Sequence, residues 1–275
     1  MSREPEIKAI AENYCVGFLI VDRQRPTGSH SVGSGTLVDF KGVKGVLTAA
    51  HVADAIMALP EFGIMRFSRH KFQAMTCSSS EIDVVLLGGE HAGDPGPDIA
   101  FVRLPPRIVA NLEATNVFFN PYVRGAALQA GAEAPKPSLR FVTGVVGEES
   151  KLLGHQGSEV KTEHTSIIGI GEISAYEPGL GGIDRFEFEV RHHDGFPPPR
   201  SYGGVSGGGI WQLNEGDGPL SKYLMGVAYR ETAPDATGIR RIICQGTNAI
   251  YEVLYLAVLD MFAPADAAKH RAGKD

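Results

Sequence analysis

The chain has 275 residues, 43% apolar and 21% charged, with a formal net charge of −6 at pH 7. A chain of this length and balance buries a full core without disulfides or metals and is not of disordered type. The acidic balance, with no block rich in lysine or arginine, excludes the electrostatic footprint of a nucleic-acid binder and argues against an anionic membrane surface as partner.

The opening stretch "MSREPEIKAIAENY" lacks the continuous apolar core and small-residue cleavage site of an export signal, and residues 4–13 are expected to form a short helix. The pattern then changes to short runs rich in valine, isoleucine, phenylalanine and threonine: "CVGFLIVD", "GSGTLVDF", "GVLTAAHV", "GIMRFS", "IDVVLLGG" and "DIAFVRL". Glycine-rich breaks separate most of them, which predicts an all-β sandwich or barrel. Two helical interruptions are expected, "VADAIMAL" after His51 and "RIVANLEA" after Pro105 and Pro106. The segment "VRGAALQAGAEAPKPS" loses strand character, which sets a boundary between two halves near residue 125.

Strands resume in "LRFVTGVVG", "HTSIIGIGEISAYE", "RFEFEVRHH", "GGIWQL", "YLMGVAYRE" and "RRIICQG". Of these, "RFEFEV" alternates apolar and charged residues, the pattern of a strand with one wet face. The stretch "AIYEVLYLAVLDMF" falls short of the roughly 18 apolar residues of a membrane span and is broken by Glu252 and Asp260, so it predicts a helix near 248–262 and no membrane partner. The expected layout is an N-terminal helix within 1–13, a β-rich half over 14–124, a second over 125–262 that ends in the helix, and a flexible tail over 263–275. Three widely spaced cysteines, Cys15, Cys77 and Cys244, sit in apolar or strand-like contexts. They read as buried thiols of a reducing compartment, and the expected location is cytoplasmic.

Acyl transfer at a serine needs a base, an acid group that fixes the base's tautomer, and donors for the developing oxyanion. His51 in "GVLTAAHV", Asp98 in "DIAFVRL" and Ser206 in "GGVSGGG" supply one candidate each, with the amides of Gly204 and Ser206 as the oxyanion donors. Taken singly, each has an ordinary explanation: a core histidine satisfied by backbone, a turn or cap aspartate, a flexible glycine loop. "GVSGG" also satisfies the G-x-S-x-G elbow of α/β-hydrolases. That fold needs a strand before the serine, a helix after it and a later histidine. Here the proline-rich "DGFPPPRSYGG" precedes Ser206, "GGGIW" follows it, and the later histidine is His270 near the chain end. His192 and His193 beside Asp194 suggest a metal, but adjacent strand residues point to opposite faces and no Cys or His pair has zinc-site spacing. No metal and no cofactor are expected.

The ordered set resembles the chymotrypsin/trypsin-like serine peptidase family, which carries a "TAAH" histidine, a "DIAL-x-RL"-type aspartate and a "G-D-S-G-G-P" serine in that chain order. Here they read "TAAHV", "DIAFVRL" and "GVSGGG", separated by 47 and 108 residues. "GSGTLV" ahead of His51 and "YLMGVAY" after Ser206 also look like family strands, so the resemblance spans roughly residues 14–262. It implies two six-stranded-type β-barrels with the triad in the cleft between them. By the same resemblance His51 is general base and then acid, Asp98 its orienting partner, Ser206 the nucleophile, and Gly204 and Ser206 the oxyanion amides. The implied activity is that of a serine endopeptidase on a protein or peptide substrate. The alternative is a catalytically silent relative that uses the cleft to bind a peptide or protein partner.

Two departures bear on control and specificity. Val205 stands where the family commonly has an aspartate, which in secreted zymogens pairs with a newly cleaved N-terminus. Val205 cannot do so, and activation by N-terminal insertion is not expected, as in bacterial-type relatives. Control is then expected from a regulatory protein partner, an inhibitory loop or a narrow substrate range. Arg200, six residues before the serine, would lie at the base of the primary pocket by resemblance and suit acidic side chains. A different loop length would instead leave it exposed or paired internally. Ser201, Tyr229 and Arg230 are the remaining pocket-wall candidates.

Overall fold

The computed structural model describes residues 3–21, 31–67, 75–88, 96–123, 138–156, 159–191, 199–214 and 221–272. Helix α1, Glu4–Tyr14, places Ile7, Ile10, Ala11 and Tyr14 on one buried face, the three-to-four spacing that a helix against a core requires. Seven strands follow: β1 Cys15–Ile20, β2 Ser31–Phe40, β3 Val43–Thr48, β4 Glu61–Arg66, β5 Met75–Ser78, β6 Asp83–Gly88 and β7 Asp98–Arg103. They form one antiparallel sheet in the order β5-β4-β1-β2-β3-β7-β6. Helix α2, Ala50–Met57, interrupts it after β3, and helix α3, Pro106–Glu113, follows β7.

This half takes the expected barrel's curled form, with seven strands. It is a curled seven-stranded sheet with no ladder between its edge strands β5 and β6 among the described residues. The reason is local. β5 and β6 are joined by a single 3₁₀ turn, Ser79–Glu81, held by a Ser78 capping box. That turn is pinned to neighbours by side chains, with Ser79 Oγ donating to the Ile56 carbonyl at 2.9 Å and Arg107 pairing with Glu81. The two edges therefore meet through a turn.

The second half does close. Strands β8 Ser138–Gln156, β9 Glu159–Glu177, β10 Arg185–Val190, β11 Gly209–Asn214, β12 Ser221–Glu231 and β13 Ile242–Gln245 form a barrel in the order β10-β13-β12-β11-β8-β9. β10 shows the alternating burial that "RFEFEV" predicts, with Phe186, Phe188 and Val190 inside. Beyond β13 a π-helical turn, Ala249–Leu254, runs into α4, Tyr255–Phe262.

The segment expected to be a flexible tail is helical instead, as α5, Pro264–Ala272. Asp266 lies in its first turn and Lys269, His270 and Arg271 in its last, the charge order that suits a helix dipole. Ala267 is fully buried, and the His270 ring meets Tyr255 edge-on at 5.1 Å. The expected boundary near residue 125 and the His192–Asp194 cluster lie outside the described residues.

The two halves share one core. Tyr14, Val38, Phe40, Leu47, Phe101 and Phe119 from the first half pack in one cluster with Phe141, Trp211, Leu224, Ile250, Tyr255 and Leu259. Trp211 sits at its centre, with Tyr14 and Phe119 ring centroids at 5.3 and 5.2 Å. Its indole N–H donates to Thr143 Oγ1 at 3.3 Å, so a large buried ring keeps its polar atom satisfied.

Candidate active site

Register brings His51 and Asp98 together. β3 pairs with β7 so that Thr48 faces Ala100. Three residues past Thr48 and two residues before Ala100 therefore fall at the same end of the sheet. β3 ends at Thr48, Ala49 is extended, and α2 starts at Ala50, so His51 is the second residue of the helix where the sequence places it just before one. The helix buries Ala50, Val52, Ala53 and Ile56, which turns His51 away from the core. Asp98 opens β7 with Ile99, Ala100, Phe101 and Val102 buried behind it.

His51 Nδ1 lies 2.8 Å from Asp98 Oδ2, and the His51 backbone N–H donates to Asp98 Oδ1 at 3.1 Å. One carboxylate thus holds the residue at ring and backbone together. Helix α2 has no side-chain cap of its own, so this carboxylate also satisfies one of the free amides of its first turn. An acceptor at Nδ1 fixes the proton there and leaves the Nε2 lone pair outward. The two side chains keep 28% and 19% of their surface, enough for a reactant to reach the ring.

Ser206 lies on the loop that enters β11. Two glycines with left-handed backbone flank it, Gly204 at φ 91° and Gly207 at φ 89°. A Cβ on Gly204 would come within 2.8 Å of the Gly147 nitrogen, and one on Gly207 would collide with the Ser34 carbonyl and Thr48 Oγ1. These two positions account for the string "GGVSGGG". The amides of Gly204 and Ser206 donate to no protein acceptor among the described residues, whereas Val205, Gly207 and Gly208 donate to Tyr202, Ala228 and Val205 carbonyls. The Ser206 hydroxyl donates to the Tyr229 carbonyl at 3.2 Å. No hydrogen bond joins it to His51 among the described residues.

Several residues that sequence reasoning did not single out hold this loop. Ser34, fully buried on β2, donates through its hydroxyl to the Gly204 carbonyl at 2.7 Å and accepts from the Val145 amide at 2.8 Å. Its own amide donates to the Ser206 carbonyl at 2.7 Å. The first half thereby grips the Ser206 loop of the second. Its signal was the "GSGTLV" string, read only as a family-like strand. On the other side Glu231 accepts from Ser201 Oγ at 3.0 Å and the Tyr202 amide at 2.6 Å. Nothing in the sequence pointed to Glu231.

The specificity candidates are dispersed. Arg200 and Arg230 are exposed. Ser201 is engaged by Glu231 and also accepts from the Gly203 amide at 2.9 Å. Tyr229 is buried, its ring packed in the first half's cluster. Burial pushes its phenol pKa up, Arg185 opposes that, and the Asp98 charge adds to it. Val205 is 1% exposed in an apolar cluster with Val142, Val146, Tyr202 and Ala228. No charge at that position is needed to seat the loop, because packing does so.

All three cysteines are buried and unpaired. Burial pushes the Cys15 thiol up to about 12 and Cys77 to about 11, so neither is a thiolate near neutrality. No group of three metal-ligating side chains occurs among the described residues. Among the same residues no helix is long and apolar enough to cross a membrane.

Comparison with known proteins bears on the fold. No family model and no curated protein matches the sequence. Among solved structures, the Drosophila Grass clip serine protease of the Toll pathway matches over 92% of this chain and 70% of its own, at 13% identity and TM-score 0.53. A structure described under "Aromatic interactions drive the coupled folding and binding of the intrinsically disordered Sesbania mosaic virus VPg protein" matches over 88% and 89%, at 13% identity and TM-score 0.44. With its closed barrel, curled sheet and C-terminal helix, the chain has a trypsin-like double-barrel fold.

Proposed function

We propose that the protein is a serine endopeptidase. The observation that carries this reading is the 2.8 Å contact of His51 Nδ1 with Asp98, beside a serine loop with two amides that have no acceptor among the described residues. In this reading the Ser206 hydroxyl turns from the Tyr229 carbonyl toward His51 Nε2, a motion that bound substrate would favour. Oγ then bonds to the peptide carbonyl carbon while His51 takes its proton. The oxyanion meets the Gly204 and Ser206 amides, and Asp98 stabilises the imidazolium. The C–N bond breaks as His51 returns the proton to the leaving amine. Water, deprotonated by His51, then releases the acyl group and restores Ser206. The substrate is a protein or peptide, and no cofactor takes part.

Two further points belong to the proposal. Three buried, unpaired thiols fit a reducing compartment, and we place the protein in the cytoplasm. With Val205 packed in an apolar cluster, control rests on something other than an ion pair with a cleaved N-terminus, and a regulatory partner is the form we favour. Steady cleavage of unfolded casein by the isolated chain would refute the partner.

A fluorophosphonate probe read by intact mass tests the chemistry. One adduct on wild type and none on Ser206→Ala is expected; absence of any adduct refutes it. The second reading, a silent binding module, is favoured by one observation: the Ser206 hydroxyl is committed to Tyr229 and not to His51.

A further inference from the structure

Glu231 ends β12, two residues beyond the Tyr229 carbonyl that takes the Ser206 hydroxyl. Its carboxylate reaches across to the loop ahead of Ser206. There it accepts from the Tyr202 amide at 2.6 Å and Ser201 Oγ at 3.0 Å. Arg240 Nη1 approaches the same carboxylate at 3.3 Å and also donates to the Thr232 carbonyl at 3.2 Å, so the counter-ion is itself tied down. The charge is three-quarters buried, which strengthens each bond it accepts relative to one in open water.

What hangs from this anchor is the pair of amides that have no acceptor among the described residues. Ser201 Oγ accepts from the Gly203 amide, the Tyr202 carbonyl accepts from the Val205 amide, and the Gly203 carbonyl accepts from Gly147. The peptides that present the Gly204 and Ser206 N–H groups are held through their carbonyls by the Gly147 and Gly208 amides, and the residues that lead into them, Ser201 and Tyr202, are held by Glu231. Ser34 holds the far side of the same turn through the Gly204 and Ser206 carbonyls. The Val205 side chain adds apolar packing between the two anchors.

We infer that Glu231, backed by Arg240, is a positioning residue that sets the direction of the Gly204 and Ser206 amides toward the reacting carbonyl. This rests on the serine-peptidase reading above. It assigns to a residue on the opposite wall the loop-fastening that Val205 cannot provide by charge. Glu231 touches no reacting atom. Its effect on rate passes through the loop, where misaiming one donor by a fraction of an ångström weakens transition-state binding more than ground-state binding.

The test is the kinetics of fluorophosphonate labelling of the full chain, split into the binding constant KI and the bonding rate kinact. Glu231→Ala is expected to lower kinact about a hundredfold with KI within about twofold of wild type. Glu231→Gln keeps one acceptor and lowers kinact about tenfold. Arg240→Gln gives a smaller fall of the same kind, and these two variants decide the matter if the alanine variant does not fold. Wild-type kinact in a folded Glu231→Gln, or a change confined to KI, overturns the inference while leaving the peptidase reading standing. Failure of the wild type itself to be labelled at Ser206 overturns both.

Discussion

Replacing Ser34 by alanine removes one oxygen atom from a fully buried site. That oxygen serves two partners, the Gly204 carbonyl at 2.7 Å and the Val145 amide at 2.8 Å. Both would be left unsatisfied, one on each side of a tight junction between β2, β8 and the Ser206 loop. A stranded buried polar group costs about 1–3 kcal/mol, and the carbonyl, with a second lone pair, falls at the low end. Together the loss comes to about 2–4 kcal/mol. For a chain of this size that lowers the melting temperature by roughly 3–7 °C. Thermal melts followed by circular dichroism measure it. Ser31→Ala on the same strand is the internal control. Its buried hydroxyl has no partner among the described residues, so its loss is expected to be neutral or mildly stabilising. A Ser34→Ala melting point within about 2 °C of wild type would refute the reasoning, because two unsatisfied buried groups cannot be that cheap.

Asp98→Asn keeps the shape but offers an amide to His51, which turns the proton to the wrong ring nitrogen; on the proposed mechanism kcat falls by about 10⁴, and a fall under tenfold would sink the assigned role. Val205→Asp forces a carboxylate into the apolar cluster of Val142, Val146 and Ala228, at a cost of about 3–5 kcal/mol that urea denaturation would register as a lower midpoint. An unchanged midpoint would mean that the loop relocates freely. The third concerns alkaline pH. Burial, helped by the Glu231 charge, pushes the Tyr202 phenol from 10 up to about 12. The unfolded chain therefore loses that proton first, and the contribution to stability is whole below pH 10 and lost as pH rises toward 12. Tyr202→Phe should flatten that limb of the stability profile, and an identical alkaline limb in the variant would contradict it.

The strands were legible because their residues are. "RFEFEV" alternates, "DIAFVRL" runs from a polar opening into apolar residues, and both become strands with the expected faces. The contact of His51 with Asp98 was legible from the strings "TAAHV" and "DIAFVRL", and the tight turn at Ser206 from the glycines around it, two of which take left-handed backbone. What stayed hidden is contact at long range. Glu231 reaches Tyr202 across 29 positions, and Ser34 reaches Gly204 across 170. An ordinary glutamate at a strand end and an ordinary serine between glycines carry no mark of such partners. The helical Pro264–Ala272 was missed because alanine, lysine and aspartate read as solvent-loving, while one small residue, Ala267, docks it. How the first sheet curls was not legible, because it depends on where the turn after β5 is pinned, which no local pattern encodes.

The core shared by the two halves governs when the site can come into being. His51 and Asp98 belong to the first half, Ser206 to the second, and the cluster between them is completed by Tyr255, Val258 and Leu259 of α4. During synthesis the ribosome delivers these residues after His51, Asp98 and Ser206. A nascent chain lacking α4 has its histidine, aspartate and serine but not the packing that keeps their two supports in register. Whatever chemistry Ser206 performs, it waits until α4 has been made and has packed between the two halves.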